Sequence, residues 1–231
     1  MNTARRVAAE CAGTAMLLAV VVGSGIMGER LAGGNIAIAL LANSIATGCG
    51  LLALILIFGP VSGAHFNPVV SLALAASGRH AWSDVPGYLL AQLAGAIAGV
   101  WMAHAMFGEP MLQVSAKIRS GAPLLFSEAV ASFGLLLTIL GCARSRPGAV
   151  PYVVAAYIVA AYWFTASTSF ANPAVTVARA LSNTFAGIRP QDAPGFIGAQ
   201  FIGAALATAL DAWLHQSDPA LTKTQTASAK P

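Results

Sequence analysis

Six apolar runs of about 20 residues divide this 231-residue chain, and their length decides the fold class. A helix rises 1.5 Å per residue, so each run reaches across roughly 30 Å of hydrocarbon. The runs are Val7 to Met27, Ile36 to Phe58, Val85 to Phe107, Leu124 to Cys142, Val150 to Thr168 and Ala193 to Leu214, each bounded by charge, Gly or Pro. Charged side chains make up 9% of the chain, against about 25% in a soluble domain, too few to build a water-facing surface. No alternating ten-residue pattern of the β-barrel kind occurs, which leaves helices to satisfy the backbone in lipid. The chain therefore reads as an all-α membrane protein with one transmembrane domain over residues 1–214. The Thr-, Ser-, Ala- and Lys-rich tail at 215–231 reads as disordered. The first run is read as a retained span, because Met1–Arg6 is too short and Glu10 too polar for a cleaved leader.

The six runs fall into two triplets that resemble one another, repeat 1 over about 6–107 and repeat 2 over about 122–214. Residues 67–75 read NPVVSLALA and residues 172–180 NPAVTVARA; residues 91–96 read AQLAGA and 199–204 AQFIGA. A glutamate precedes each set, Glu10 and Glu128. Three spans is an odd number, so the two copies insert with opposite orientation. Lys and Arg in the connections set the overall direction. With the N-terminus inside, Arg5, Arg6, Arg79, Arg144, Arg146, Lys223 and Lys230 are cytoplasmic, and Arg30, Lys117, Arg119 and Arg189 lie outside. That bias favours cytoplasmic N- and C-termini in a plasma membrane or cell inner membrane.

Between the second and third runs, residues 59–77 are too apolar for an ordinary loop and too few to cross the bilayer and return. Gly59, Pro60 and Gly63 break the helix. Asn67-Pro68 restarts one, Asn being a favoured N-cap and Pro a favoured first helical residue. About ten helical residues span roughly half a bilayer. The second copy repeats this, with Ser167, Thr168 and Ser169 leading into Asn172-Pro173 and a half-helix to about Leu181. Opposite insertion brings the two N-termini together near the midplane, where their positive dipole ends disfavour cations, a hopping proton included. Asn67 and Asn172 offer amide donors there, and the unwound stretches 62–65 and 168–171 offer carbonyl acceptors. A narrow path of this kind suits small uncharged hydroxylic solutes.

SGAHFNPVV at 62–70, SFANPAVTVARA at 169–180 and both AQxxGA segments resemble the aquaporin and aquaglyceroporin (major intrinsic protein) family over about residues 6–214. The resemblance implies six transmembrane helices plus two re-entrant half-helices in an inverted 3+3 repeat, a homotetramer in the lipid bilayer, and one pore per subunit. Asn67, Pro68 and Val69 would form the first pore motif and Asn172, Pro173 and Ala174 the second. Glu10 and Glu128 would brace the re-entrant loops. Two positions depart from the family: Val69 stands where Ala is usual, and Val175 where an Arg is usual. Counted by family spacing, the selectivity filter would be Thr47, Ala160, Ser169 and Val175, with Ala161 or a neighbour as alternatives in the fifth span. Such a ring of small uncharged residues is wide and weakly polar, which favours larger neutral solutes. Arg179, four residues beyond Val175, would line the outer vestibule, or else snorkel at the half-helix end or bind loop carbonyls.

NPAVTVARALSNTFAGIRP is similar to a bacterial subgroup associated with arsenic-resistance genes. That resemblance implies passage of trivalent arsenic as neutral arsenous acid, with methylated arsenicals and glycerol-like solutes as further candidates, and water besides. A water-selective pore and a glycerol or urea facilitator without an arsenic role are the alternatives within the channel class. A secondary transporter is the rival from another class, since inverted repeats with broken helices also mark carriers; amides in place of midplane charge favour a channel. No Ser/His/Asp set, carboxylate pair or phosphate loop can be assembled, so an enzyme is not expected, nor a cofactor. His65, His80, His104 and His215 have no metal-ligand spacing, and His80 and His215 read as solvated. The scattered basic residues argue against nucleic acid. Cys11, Cys49 and Cys142 read as small buried hydrophobes.

Overall fold

The computed structural model describes residues 2–215, and the stretch 216–231, with the expectation for the tail, lies outside the described residues. Eight α-helices follow one another among the described residues: α1 (Thr3–Leu31), α2 (Ile36–Ser62), α3 (Pro68–Ala76), α4 (Val85–Phe107), α5 (Ala122–Ser145), α6 (Val150–Phe164), α7 (Pro173–Arg179) and α8 (Ala193–Leu214). Six of these, all but α3 and α7, form spans long and apolar enough to cross a membrane, α4 and α6 together with the 3-10 turns before them, from Trp82 and from Pro147. Their ends follow local chemistry. The Asn2 side chain accepts from Ala4 N–H and Asn35 from Ala37 and Ile38 N–H, which caps α1 and α2. Pro86, Pro123, Pro151 and Pro194 stand in the first turns of α4, α5, α6 and α8, where a missing N–H costs nothing.

Helices α1 and α5 extend a few residues past their apolar runs at both ends, α7 stops at Arg179 instead of about Leu181, and two further boundaries differ for reasons of local chemistry. Gly59 and Pro60 do not break α2, which runs on to Ser62 and ends at Gly63 in the left-handed conformation (φ 90°). Pro60 forgoes a single backbone bond near the helix end, whereas Gly63 supplies the positive φ that turns the chain back. The fifth span stops at Phe164 rather than Thr168, because Thr165 is extended (φ −107°, ψ 135°).

The two halves pack alike. Helix α1 lies against α4 and α2, α5 lies against α8 and α6, and α2 meets α6 across the halves. Glycines set the close approaches, as is usual between helices in lipid. Gly95 of α4 sits directly over the Cys11 carbonyl of α1, and Gly203 of α8 over the Ala129 carbonyl of α5. Both are the Gly of an AQxxGA segment. The outer surface carries large apolar side chains, among them Ile57, Leu90, Leu206 and Trp213. It also shows Cys49, while Cys11 and Cys142 are half-buried. The cysteines are thus not core residues: a lipid-facing surface is as apolar as the interior, so burial is not required of them. His80, by contrast, is buried, with its ring 4.8 Å from that of His65 and 4.5 Å from that of Tyr88. His215 is exposed and 3.3 Å from Asp211.

Candidate functional site

The segments that lead into α3 and α7 are strained. Ala64, Phe66, Thr168, Ser169 and Ala171 all have φ between 46° and 63°, a region that costs a non-glycine residue on the order of 1–2 kcal/mol. Such a backbone persists only where its surroundings hold it. In the first half Glu10 does so. One carboxylate oxygen accepts from Ser62 Oγ (2.7 Å) and His65 N–H (2.9 Å), the other from Phe66 N–H (2.7 Å) and Gln92 Nε2 (2.8 Å). In the second half Glu128 accepts from Phe170 N–H (2.8 Å), Ala171 N–H (2.9 Å) and Gln200 Nε2 (2.6 Å). Both carboxylates are fully buried. Each glutamine also donates to a hydroxyl of the half-helix, Gln92 to Ser71 and Gln200 to Thr176, at 2.9 Å in both cases. Spanning helix, carboxylate, amide and half-helix therefore form one chain of bonds in each repeat.

The asparagines face each other with their orientation fixed. Asn67 Oδ1 accepts from Val69 N–H (3.1 Å), and Asn172 Oδ1 from Ala174 (3.0 Å) and Val175 (3.2 Å). With the oxygen committed to the helix cap, the NH2 group turns outward. Asn67 Nδ2 donates to the Ala171 carbonyl and Asn172 Nδ2 to the Phe66 carbonyl, each at 2.8 Å. Every amide thus ties its loop to the other and keeps one N–H for the lumen. Val69 is buried, and Pro68, Pro173 and Ala174 lie beside it in the buried first turns of α3 and α7.

Both asparagines border a cavity whose wall is mostly apolar, with Val21, Ile55, Val70 and Ile158 among the lining residues. Thr47, Ser169 and Val175 line it, but Ala160 does not; it lies on the exposed face of α6. Tyr162 lines the cavity in its place, its hydroxyl 3.3 Å from Thr47 Oγ1. The correction is rotational: two residues turn a helix by about 200°, which carries Ala160 to the face opposite Tyr162. Together with Thr47, Ser169 and Val175, the cavity wall thus carries a phenol in place of a fourth small side chain. Ser169 Oγ is buried and has no hydrogen-bond partner among the described residues.

Arg179 also lines this cavity, and it is buried at 2% exposure instead of snorkelling to an outer surface. Its Nε donates to the Ala186 carbonyl, and its guanidinium carbon stands 3.3 Å from the centroid of the Phe170 ring. A second guanidinium, from Arg119 in the connection between repeats, lies 5.0 Å from the same centroid and donates to the Gly187 carbonyl (2.8 Å) and the Ser167 carbonyl (3.2 Å). Lys117 nearby donates to the Phe185 carbonyl at 2.7 Å. Burial, then the Arg119 charge, brings the Lys117 pKa down to about 8, and burial lowers that of Arg119 as well. Three basic side chains thus cluster around Phe170 and Phe185, with Glu29 and Asp192 as their acidic neighbours. Behind His65, which lines the cavity and packs against His80 and Tyr88, Arg6 bonds Asp84 (2.7 Å) and Tyr88 (3.0 Å) and lies 3.4 Å from His80 Nδ1. Burial, followed by the Arg6 charge, holds the His80 pKa below its ordinary value.

Gln92, Gln200, Tyr162, Phe170 and Arg119 carry much of this geometry without having been singled out from the sequence. For the glutamines the signal was present, since each recurs at the same place of a repeated segment. Among the described residues no three of His, Cys, Asp and Glu come together as a metal set.

Residues 1–162 match the family model described as Major intrinsic protein. Over 212 residues the chain is 56% identical to Aquaglyceroporin AqpS of Rhizobium meliloti (strain 1021), a match covering 92% of this chain and 91% of that protein. It is 34% identical over 105 residues to Aquaporin NIP1-1 of Zea mays, covering 45% of this chain and 37% of the maize protein. The aquaglyceroporin from Plasmodium falciparum has the same fold, with a TM-score of 0.69 at 18% identity over 93% of this chain and 96% of that one.

Proposed function

The chain belongs to the major intrinsic protein family, and from that premise we propose that it conducts small neutral solutes passively through a pore in each subunit. The family and the relatives are channels and not enzymes, and the chain is a multi-pass membrane protein. The observation that carries the reading is the pair of asparagines whose amides are locked toward a shared lumen by reciprocal bonds to Ala171 and Phe66. The aquaglyceroporin reading has support from the 56% identity to a protein of that name. An amphipathic lumen supports it too. Amide, hydroxyl and phenol groups share its wall with Val, Leu and Ile, which suits a solute that has both hydroxyls and an apolar part.

Glycerol is such a solute, and arsenous acid presents three hydroxyls as a small polyol does; both are uncharged at neutral pH, and they are the solutes we assign, with methylated arsenicals and water as further cargo. Thr47, Tyr162, Ser169 and Val175 form the ring that sorts them, with Tyr162 in the place first given to Ala160. Glu10 and Glu128 act through the loops they hold. The protein works as a homotetramer in the plasma or inner membrane with both termini cytoplasmic.

Stopped-flow light scattering on proteoliposomes tests the reading. Glycerol and arsenous acid are expected to enter without an ion gradient and without saturating at low concentration. Rapid water flow with negligible glycerol and arsenite uptake would refute the solute assignment, and flux that needs a proton or sodium gradient would refute the channel.

A further inference from the structure

We infer that Arg179 determines the selectivity of the lumen, as a guanidinium set one helical turn beyond Val175 that turns back cations and donates to hydroxyl-bearing solutes. This rests on the channel reading and deepens it. Val175 and Arg179 are four residues apart on α7, so they share a face about 6 Å apart, and both line the cavity. A charge buried to this degree in a membrane protein is retained where something holds it and where it has work to do. Here it is held at its base and on its face, by the Nε bond to Ala186 and by the Phe170 ring. The terminal nitrogens Nη1 and Nη2 make no hydrogen bond among the described residues, yet neither is sealed off as a buried unpartnered atom. They are open to the lumen.

What surrounds them completes a site for a hydroxylic solute. Ser169 is 3% exposed, lines the same cavity and carries an unpartnered hydroxyl, which accepts or donates as the solute requires. The Tyr162 hydroxyl, paired with Thr47, provides a further acceptor. A solute hydroxyl can accept from Arg179 about one helical turn from the ring, then meet Ser169 and Tyr162 beside Val175, which itself offers no polar hold. The charge and the apolar step thus stand at two levels, so cations are rejected without an arginine narrowing the step itself. At about 6 Å and an effective dielectric of about 20, one guanidinium slows a monovalent cation on the order of a hundredfold.

The test compares wild type, Arg179→Val, Arg179→Lys and the transplant Val175→Arg/Arg179→Val in proteoliposomes, each normalised to monodisperse protein. Stopped-flow glycerol uptake and methylammonium uptake are the two readouts. Arg179→Val is expected to raise methylammonium uptake at least tenfold and to lower glycerol flux several-fold. Arg179→Lys keeps methylammonium out, and so does the transplant, whose glycerol flux falls below wild type because the charge now narrows the Val175 step. The inference is overturned if Arg179→Val matches wild type in both readouts, or if Arg179→Lys leaks as Arg179→Val does, which would make Arg179 a support for the loop only. If Arg179→Val does not fold, Arg179→Gln, which keeps an N–H donor for the Ala186 carbonyl but no charge, decides the question: methylammonium uptake rises with it if the inference holds and stays at the wild-type level if Arg179 only supports the loop. Absence of glycerol flux in wild type would instead count against the channel reading.

Discussion

Glu128 and Gln200 touch each other, but their loss is expected to cost very different amounts, because one orphans donors and the other orphans nothing. In Glu128→Leu three buried donors lose their acceptor, namely Phe170 N–H, Ala171 N–H and the Gln200 amide. At about 1–3 kcal/mol per unsatisfied buried group, the total is roughly 3–9 kcal/mol. In Gln200→Leu a charge-assisted bond to Glu128 and a neutral bond to Thr176 disappear, worth about 2–4.5 kcal/mol together. The acceptors keep other roles: Glu128 still receives Phe170 and Ala171, and Thr176 Oγ1 still donates to the Asn172 carbonyl at 2.8 Å. Gln200 Oε1, moreover, is itself buried without a partner, so removing it returns about 1–3 kcal/mol. The net cost of Gln200→Leu is then on the order of 1–2 kcal/mol. Thermal unfolding in detergent followed by size-exclusion chromatography, paired with glycerol flux, reads the contrast. Glu128→Leu should lower Tm at least twice as far as Gln200→Leu and reduce flux more than tenfold, with Gln200→Leu staying within a few-fold of wild type. Equal losses in the two variants would refute the idea that the carboxylate organises the loop through its donors.

Gly203→Leu places a side chain against the Ala129 carbonyl and forces α5 from α8, so monodisperse protein should be lost, whereas Gly198→Ala, with open space around it, should be recovered at wild-type yield. Lys117 has a folded pKa near 8 against an ordinary 10.5, so between these values the unfolded chain holds a proton that the folded chain lacks. Stability from this group therefore rises with pH across that window, and the Tm difference between wild type and Lys117→Met should change in wild type's favour from pH 7.5 to 10, at roughly constant ionic strength. Asp192 has its pKa lowered chiefly by the Arg189 hydrogen bond, so its contribution is present above the unfolded carboxyl value and is lost as pH falls. Arg189→Met should accordingly flatten the acid limb of the Tm profile.

The six spans and the two half-helices were legible because each depends on a pattern that no tertiary contact overrides. Apolar length marks a span, and Asn-Pro marks a capped start; α4 and α8 occupy the same residues in the chain as their apolar runs. Helix rotation was not legible in α6. The apolar run there is uniform on every side, and the bend at Thr165 shortens the helix by four residues, so counting along the family spacing arrived at Ala160, on the exposed face of α6 away from Tyr162. Pro60 misled for a related reason, since a proline within the last turn of a helix removes only one bond. His80 reads as solvated but is buried, because the fold brings Arg6, His65 and Tyr88 around it. Arg179 reconciles two readings that the sequence sets against each other, because a long side chain can bind a loop carbonyl with Nε and still present its tip to the lumen.

The reciprocal amide bonds also set a schedule for biosynthesis. The carbonyl that Asn67 bonds lies 104 residues later in the chain, and the one that Asn172 bonds lies 106 residues earlier. At roughly 5–20 residues per second, α3 waits about 5–20 s in the membrane before its counterpart is made. During that interval Glu10 and Gln92 are the partners already synthesised that can hold the first loop in shape. The two repeats are thus unequal in time though alike in space: the first must stand alone for seconds, and the second arrives to a template already formed.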